Sequence, residues 1–284
     1  MNSPNQTAPL FDRRAWRAHR DRTAGPLGVD FLHREVADRL VDRLDLINRE
    51  FHVALDLGAR DGALARDLAK RPGCERVVAA EPSAALGARA SPPRVVADPE
   101  LIPFRDASFD LAASCLALHW CADLPGALIQ IRRALKPDGL LLAAMLGGST
   151  LAELRTALFD AELAEEGGVS PRVSPTAELA DAASLLQRAG FAMPVADSET
   201  ITATYPDMLA LMRDLRGMGE TNALSGRRRF LGRATLARAG AIYAERFSDP
   251  DGRITATFEI LFLTAWTPHP DQAKPRPGAR RRIG

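Results

Sequence analysis

The chain has few cysteines, few aromatic residues and no long apolar run. Its 284 residues include three cysteines and 6% aromatic residues. Three cysteines without a C-x-x-C pair are too few for a disulfide framework, so reduced thiols in a cytosol-like compartment are expected. No stretch approaches the ~20 apolar residues of a membrane-spanning helix, and the N-terminus lacks the charged head and apolar core of a secretory signal. The composition therefore predicts a soluble globular protein without a transmembrane segment.

The charge and the metal-ligand patterns argue against two further classes of protein. The formal net charge of +1 gives the chain no overall attraction to nucleic acid or to an anionic membrane. The Arg-rich tail lacks interleaved aromatic residues, so no nucleic-acid partner is predicted. Neither an H-E-x-x-H motif nor a pair of C-x-x-C motifs is present, and no metal site is predicted.

Short apolar runs alternate with amphipathic segments through the first half of the chain. This alternation predicts an α/β fold with a parallel sheet and helices on its faces. Residues 30–47 are predicted to form an amphipathic helix, and Asp123 is predicted to cap a later helix that leads into a turn at 136–139. The predicted strands are 52–57, 76–80, 94–97, 109–118 and 140–146.

The rhythm of strands and helices changes after residue 146. The later predicted elements are helices at 149–165 and 177–189, a strand near 192–200, helical structure over 206–247 and a strand at 253–266. Two late strands separated by helical residues suggest a hairpin with a long insertion. The cap segments 149–176 and 206–247 would then cover the sheet edge where ligands of open α/β sheets bind. The predicted organisation is an arm at 1–29 that is partly disordered, one domain at 30–266, and a disordered basic tail at 267–284.

Two glycines and two acidic residues predict a nucleotide-type site. Gly58 and Gly62 bracket a tight turn between the first strand and its helix, and Glu81 follows the second strand. Such glycines let the backbone approach a ligand, and the acid can bind a ribose diol. Asp98 can accept a hydrogen bond from an adenine amino group, or it can be a turn residue before Pro99. One glycine pair without G-x-G-x-x-G suits a single nucleoside, such as S-adenosylmethionine.

The candidate catalytic residues lie at the predicted ligand edge and in the cap. His119 and Trp120 end the fourth predicted strand, where they can serve either chemistry or packing. The segment 217–224 contains two glycines and several small polar residues, which are poor helix formers. This segment is either a plain turn between helices or a substrate-facing loop that offers Glu220 and Asn222.

The motifs of the first half resemble those of class I S-adenosylmethionine-dependent methyltransferases. The resemblance covers about residues 50–146 and is carried by LDLGARDG, AAEPS, ADPELIPFRDASFDLAASCLALHW and DLPGALIQIRRALKPDG. It implies a Rossmann-like seven-stranded sheet with an antiparallel last strand. It also implies that Asp56, Gly58 and Gly62 border the methionine part of the cofactor. Glu81 would bind the ribose and Asp98 the adenine.

Phrases along almost the whole chain resemble a family of arginine-hydroxylating assembly factors of respiratory complex I. Within about residues 11–266 they are FDRRAWRAHRDR, AMLGGSTLAELRTAL, EEGGVSPRVSP, YPDMLALMRDLRGMGETNAL and ITATFEILFLTAW. This resemblance implies a protein substrate, an iron–sulfur subunit of the complex. It also implies a bacterial-type cytoplasmic protein, or a mitochondrial-matrix protein in a eukaryote. Through LHW and DLPGAL the chain more distantly resembles the biotin-synthesis methyltransferases that esterify malonyl-acyl carrier protein.

Arg60 departs from the methyltransferase pattern, which usually has glycine midway between the two bracketing glycines. Its side chain can crowd the cofactor, or its guanidinium can pair with the cofactor's carboxylate. Three functions stay open on these grounds. They are an enzyme that modifies a protein, a methyltransferase acting on a carboxylate, which needs no general base, and a non-catalytic assembly chaperone on a degenerate fold.

Overall fold

The computed structural model describes residues 9–25, 28–226, 230–269 and 271. The predicted disordered tail at 267–284 therefore lies mostly outside the described residues. In these ranges the helices are α1 (Arg13–Thr23), α2 (Phe31–Asp45), α3 (Ala63–Leu68), α4 (Ala84–Gly87), α5 (Leu124–Ala134), α6 (Ala152–Glu166), α7 (Leu179–Arg188), α8 (Met208–Met218) and α9 (Arg233–Phe247). The strands are β1 (Val53–Leu57), β2 (Arg76–Ala80), β3 (Arg94–Val95), β4 (Phe109–Cys115), β5 (Leu135–Leu146), β6 (Ala192–Tyr205) and β7 (Ile254–Trp266).

The strands form one seven-stranded sheet in the order β3-β2-β1-β4-β5-β7-β6. Strands β1 to β5 pair in parallel, whereas β7 is antiparallel to both of its neighbours. The predicted Rossmann-like sheet with a reversed last strand is therefore confirmed. Strands β6 and β7 also form the predicted hairpin, because they pair along their whole length and carry α8 and α9 between them.

Apolar side chains cover both faces of the sheet. On β5, Leu140 and Leu142 join the cluster under α2, α6, α8 and α9, while Leu141 joins the cluster under α5 and α7. Successive side chains of a strand point to opposite faces, so a strand covered on both sides is apolar at every position. This explains the continuous apolar run at 140–146. None of the helices in the described ranges combines the length and apolarity that crossing a membrane would require.

Strand β4 is shorter than predicted. It ends at Cys115, because the backbone at Leu116 turns to a φ of 49°. The prediction that His119 and Trp120 end the strand is therefore wrong. Both residues lie in a short 3₁₀ turn that directly follows it. They remain at the carboxyl edge of the sheet.

Three other strands also differ from their predicted bounds. Strand β3 ends at Val95, two residues early. The predicted turn 136–139 lies inside β5, since the N–H of Asp138 donates to the carbonyl oxygen of Thr267 at 3.0 Å and keeps the segment in the sheet. Strand β6 continues to Tyr205, because the long β7 provides a partner along the whole hairpin.

The N-terminal segment contains an ordered helix that packs on the rest of the fold. The side chain of Asp12 caps α1 by accepting the N–H groups of Arg14 and Ala15, both at 3.0 Å. The N–H of Asp12 donates to the carbonyl oxygen of Ala223 at 2.7 Å. Trp16 is fully buried. Helix α1 therefore lies against the loop that follows α8.

Candidate cofactor and acceptor site

The turn after β1 joins the carboxyl ends of β1 and β2. Gly58 has a φ of 80°, and its N–H donates to the carbonyl oxygen of Ala80 at 2.8 Å. A β-carbon at Gly58 would lie 2.2 Å from that of Ala117, so glycine is required at this position. Gly62, with a φ of 77°, ends the turn and precedes α3. The two glycines thus bracket a tight turn, as the sequence predicts.

Glu81 lies beside this turn at the end of β2 and is buried. Its Oε2 accepts the N–H of Arg60 at 2.8 Å, and its Oε1 accepts the N–H of Ser83 at 3.0 Å. These two backbone donors hold the carboxylate of Glu81 beside the turn between Gly58 and Gly62. The structure therefore brings together the glycine turn and the acid that the sequence assigns to one site.

Arg20 of α1 binds this carboxylate, and no sequence motif had assigned Arg20 to the site. Its Nε donates to Oε1 of Glu81 at 2.8 Å, and its Nη2 donates to Oε2 at 2.6 Å and to the carbonyl oxygen of Gly58 at 3.2 Å. Burial lowers the pKa of Arg20, but the charge and hydrogen bonds of Glu81 outweigh burial, and the pKa is raised overall. The two residues are therefore an ionised pair inside the protein.

Arg13 binds the second predicted carboxylate in the same way. Its Nε donates to Oδ2 of Asp98 at 3.0 Å and its Nη2 contacts Oδ1. Its Nη1 donates to the carbonyl oxygen of Trp120 at 2.6 Å, and its guanidinium lies 4.0 Å from the ring centre of Trp16. Arg13 and Arg20 are seven residues apart and so share one face of α1. That spacing is a signal in the sequence that groups the two arginines, although it does not indicate what they contact.

The guanidinium of Arg60 binds the cap. Its Nη1 donates to the carbonyl oxygen of Met218, the last residue of α8, at 2.8 Å. Burial lowers the pKa of Arg60 to about 10. The carbonyl groups at a helix C-terminus carry negative partial charge and favour a cation. Arg60 thus connects the glycine turn to the cap, an arrangement that neither sequence-based alternative for this residue anticipated.

A small cavity of about 30 Å³ borders the turn, and its lining includes Asp56, Arg60 and Cys115. Asp56 is buried, and neither of its carboxyl oxygens has a partner within ordinary hydrogen-bond geometry among the described residues. Burial raises the pKa of Asp56 to about 7, although the backbone N–H of Ala65 is near enough to oppose part of this rise. An unsatisfied buried acid is uncommon and calls for an explanation, such as a polar group that it binds in another state. Asp56 lies where the sequence predicts the methionine end of a cofactor.

Glu220, in the loop after α8, joins two of the predicted catalytic residues. Its Oε2 accepts the Nε1–H of Trp120 at 3.0 Å and lies 3.1 Å from Nε2 of His119. Its Oε1 has no hydrogen-bond partner in the described part of the chain and lies 3.8 Å from Nε2 of His33. Burial alone would raise the pKa of Glu220. His119 and the charges of Arg20 and Arg60 lower the pKa by more than burial raises it, so the net shift is downward. Glu220 is therefore a charged carboxylate in the interior.

His33 completes this cluster from the buried face of α2. Burial lowers its pKa well below the usual value of 6.5, and the charges of Arg60 and Arg20 lower it further. The imidazole is therefore neutral at pH 7. The sequence contains no signal for His33, because its position on an amphipathic helix is that of an ordinary core residue.

Asn222 is not part of the Glu220 cluster. Its Nδ2 donates to the carbonyl oxygens of Pro171 at 2.8 Å and Arg172 at 3.0 Å, which connects the loop after α8 to the segment after α6.

A cavity of about 590 Å³ lies between the loop after α8 and the segment after α6. Its polar wall includes His119, Trp120, Glu220 and Asn222, and its apolar wall includes Leu154, Leu158, Met212, Leu215 and Phe258. Such a cavity has the size and mixed lining of a ligand pocket.

His19 and Asp21 have the H-x-D spacing of some iron sites, so the sequence-based expectation that this motif is absent is wrong. In the structure they turn to different partners. Nδ1 of His19 lies 3.0 Å from the carbonyl oxygen of Thr221, and Asp21 accepts the hydroxyl of Ser83. Across the described ranges, no three His, Cys, Asp or Glu side chains are grouped so that they could hold a metal ion.

The strand order, with its reversed last strand, is that of the class I methyltransferase fold. A solved structure with a similar fold is the YcgJ protein of Bacillus subtilis, with a TM-score of 0.58 and 14% identity. The match covers 82% of this chain and 99% of that protein. The family model described as "Methyltransferase domain" matches residues 55–143. The fold and its family model therefore agree.

Two relatives match nearly the whole chain. The protein named "Arginine-hydroxylase NDUFAF5, mitochondrial" from Danio rerio is 42% identical over 281 residues, 96% of this chain and 87% of the relative. The "Malonyl-[acyl-carrier protein] O-methyltransferase" of Halorhodospira halophila is 38% identical over 269 residues, 91% of this chain and 89% of the relative. This chain belongs to the methyltransferase-fold enzyme family that contains both proteins.

Proposed function

We propose that the protein is an S-adenosylmethionine-binding enzyme that hydroxylates an arginine of a protein partner during assembly of respiratory complex I. The observation that carries this proposal is the 42% identity to the arginine-hydroxylase of Danio rerio over 96% of the chain. Similarity over that length includes the cap as well as the common sheet. The partner in this proposal is an iron–sulfur subunit of the complex. The compartment is the bacterial cytoplasm, or the mitochondrial matrix in a eukaryote.

The residues at the carboxyl edge of the sheet fit this cofactor. Glu81 would bind the ribose and Asp98 the adenine, as charge-assisted hydrogen-bond acceptors. The turn at Gly58 and the unsatisfied carboxyl of Asp56 would border the methionine part. When bound, the cofactor would supply a sulfonium centre at the edge of the sheet. The hydroxyl oxygen would come from a separate co-substrate such as dioxygen, with two electrons from an external reductant and the second oxygen atom released as water.

Glu220 supports a guanidinium as the group to be modified. It is a charged carboxylate with one oxygen that lacks a hydrogen-bond partner among the described residues, and it lines the cavity of about 590 Å³. Guanidinium groups bind carboxylates through paired hydrogen bonds and stack on aromatic rings such as that of Trp120. In this proposal Glu220 binds and orients the substrate arginine, and the apolar wall holds its methylene groups.

Mass spectrometry of the iron–sulfur subunits of complex I tests the proposal. We expect deletion of the gene to remove the mass of one oxygen atom from one arginine, and re-introduction of the wild-type gene to restore it. A gene carrying Glu220→Gln should restore it poorly. Arginine masses that are the same with and without the gene would end this proposal.

Methyl transfer to a carboxylate is the second candidate, because arginines also line the same cavity. Arg22 and Arg216 are among its lining residues. Burial, and then the charge of Arg216, lower the pKa of Arg22, so two like charges lie close together there. An anionic acceptor, such as a malonyl group on acyl carrier protein, would relieve this repulsion. Incubation with methyl-labelled cofactor and malonyl-acyl carrier protein would label the carrier protein under this candidate and leave it unlabelled under the first.

A further inference from the structure

Two arginines of helix α1 bind Glu81 and Asp98, the carboxylates that the proposed cofactor needs. We infer that α1 is a latch: Arg13 and Arg20 close the cofactor site, and the helix withdraws when the cofactor binds. The inference rests on the proposed function, because it concerns the same site. It adds that the protein's own N-terminal helix and the cofactor compete for Glu81 and Asp98.

The hydrogen bonds of Glu81 make this competition direct. A carboxylate has about four lone-pair positions for hydrogen bonds. In the structure, Oε1 accepts from Arg20 and Ser83, and Oε2 accepts from Arg20 and Arg60. All of these positions are therefore used. A ribose hydroxyl can donate to Glu81 only after Arg20 has left.

Asp98 and the available space lead to the same conclusion. Both oxygens of Asp98 contact Arg13, and Oδ1 also accepts the N–H of Glu100 at 3.0 Å. The cavity that borders the Gly58 turn measures about 30 Å³, far below the ~300–1,000 Å³ of ordinary ligand pockets. An adenosyl group therefore does not fit at this turn in the arrangement that the structure shows.

The latch also contacts the loop that carries Glu220. The N–H of Asp12 donates to the carbonyl oxygen of Ala223 at 2.7 Å, and His19 lies 3.0 Å from that of Thr221. His19 lines the cavity of about 590 Å³ as well. Withdrawal of α1 would release both contacts and widen this cavity. Cofactor binding would then prepare the site for the acceptor, so we expect the cofactor to bind first.

Calorimetric titration with S-adenosylhomocysteine tests the latch, because this compound contains the same adenine and ribose. The variants Arg13→Met and Arg20→Met of the full chain remove a guanidinium and keep an apolar stem. Arg14→Met and Arg17→Met are matched controls, since both arginines are exposed on the same helix. We expect each latch variant to bind at least about tenfold more tightly than the wild type, because the closed state no longer reduces the apparent affinity. The controls should bind like the wild type.

Hydrogen exchange of the wild type provides an independent measurement. Amide exchange in residues 13–23 should rise when the ligand is added, and this readout decides the matter if Arg20→Met does not fold. Unchanged affinity in the latch variants, weaker binding in them, or unchanged exchange in α1 would each overturn the latch and leave cofactor binding intact. Absence of binding in the wild type and in every variant would instead overturn the proposed cofactor, and the latch with it.

Discussion

Arg20 and Glu81 form a buried ion pair that joins the N-terminal helix to the end of strand β2. Two hydrogen bonds, of 2.8 and 2.6 Å, connect the side chains, and neither is more than 2% exposed. Burying two charges costs free energy, so a buried ion pair is stable only when the charges are paired and fully hydrogen-bonded. The backbone donors of Arg60 and Ser83 complete that requirement for Glu81. The pair therefore makes α1 an integral part of the site.

Removal of one partner of this pair should destabilise the fold strongly. Arg20→Ala leaves the charge of Glu81 buried and unpaired, and we expect it to cost about 3–5 kcal/mol of unfolding free energy. Arg17→Ala, on the exposed side of the same helix, should change stability by no more than about 0.5 kcal/mol. Urea denaturation of both variants measures the difference. Equal stability of the two variants would show that the pair is not formed in solution.

Alanine substitutions at Gly58 and Gly252 distinguish the cost of a strained backbone from the cost of a steric clash. The two glycines have φ values of 80° and 77°, but a β-carbon at Gly58 would meet that of Ala117 at 2.2 Å, whereas nothing lies within 4 Å at Gly252. We expect Gly252→Ala to cost about 1–2 kcal/mol through its left-handed backbone. Gly58→Ala should cost about 1–3 kcal/mol more through overpacking. Similar denaturation midpoints for the two variants would contradict the close contact.

The stability of the protein should carry a pH dependence due to Asp56. Burial raises the pKa of this carboxyl from 3.8 to about 7. Between these values the folded protein keeps a proton on Asp56 that the unfolded chain releases. The contribution of this proton to stability is complete below the pKa of the unfolded state. It is lost as the pH rises through the pKa of the folded state. Relative to Asp56→Asn, the wild type should therefore lose stability from about pH 4 to about pH 7. Denaturation of both proteins at several pH values measures this, and a constant difference would refute it.

Much of the fold and part of the site could be predicted from local patterns. The alternation of apolar runs and amphipathic helices predicted the sheet, because a strand buried on both faces is apolar along its length. Gly58 and Glu81 were predictable together, since the carboxyl ends of parallel strands meet at one edge of the sheet. Asp138 shows a limit of this approach: a turn-like sequence stays in β5 because Thr267, far along the chain, provides its partner.

The arginines of α1 could not be assigned from the sequence with the same reasoning. A helix rich in arginine is ordinarily a solvated surface helix, and the partners of Arg13 and Arg20 lie 85 and 61 residues away. Their common face was visible in the seven-residue spacing, but nothing local indicated what that face contacts. His33 was likewise missed, because its role depends on Glu220, which reaches it only through the folded cap.

Glu220 should be needed for modification of the substrate arginine. In Glu220→Gln the amide still accepts the hydrogen bond of Trp120, but the charge is lost. We expect arginine modification to fall about 10- to 150-fold, the equivalent of one charge-assisted hydrogen bond of about 1.5–3 kcal/mol. Glu245→Gln, at an exposed position on α9, is the matched control. Mass spectrometry measures the rate of modification. A wild-type rate in Glu220→Gln would show that Glu220 does not bind the substrate arginine.

Calorimetric titration of the full chain tests whether S-adenosylmethionine binds at the carboxylates after β2 and β3, on which the proposed function depends. We expect one cofactor bound per wild-type chain, no detectable binding for Glu81→Ala, and wild-type binding for Glu75→Ala, whose side chain is 75% exposed. A wild-type protein that shows no binding, or a Glu81→Ala variant that binds as tightly as the wild type, would contradict this expectation.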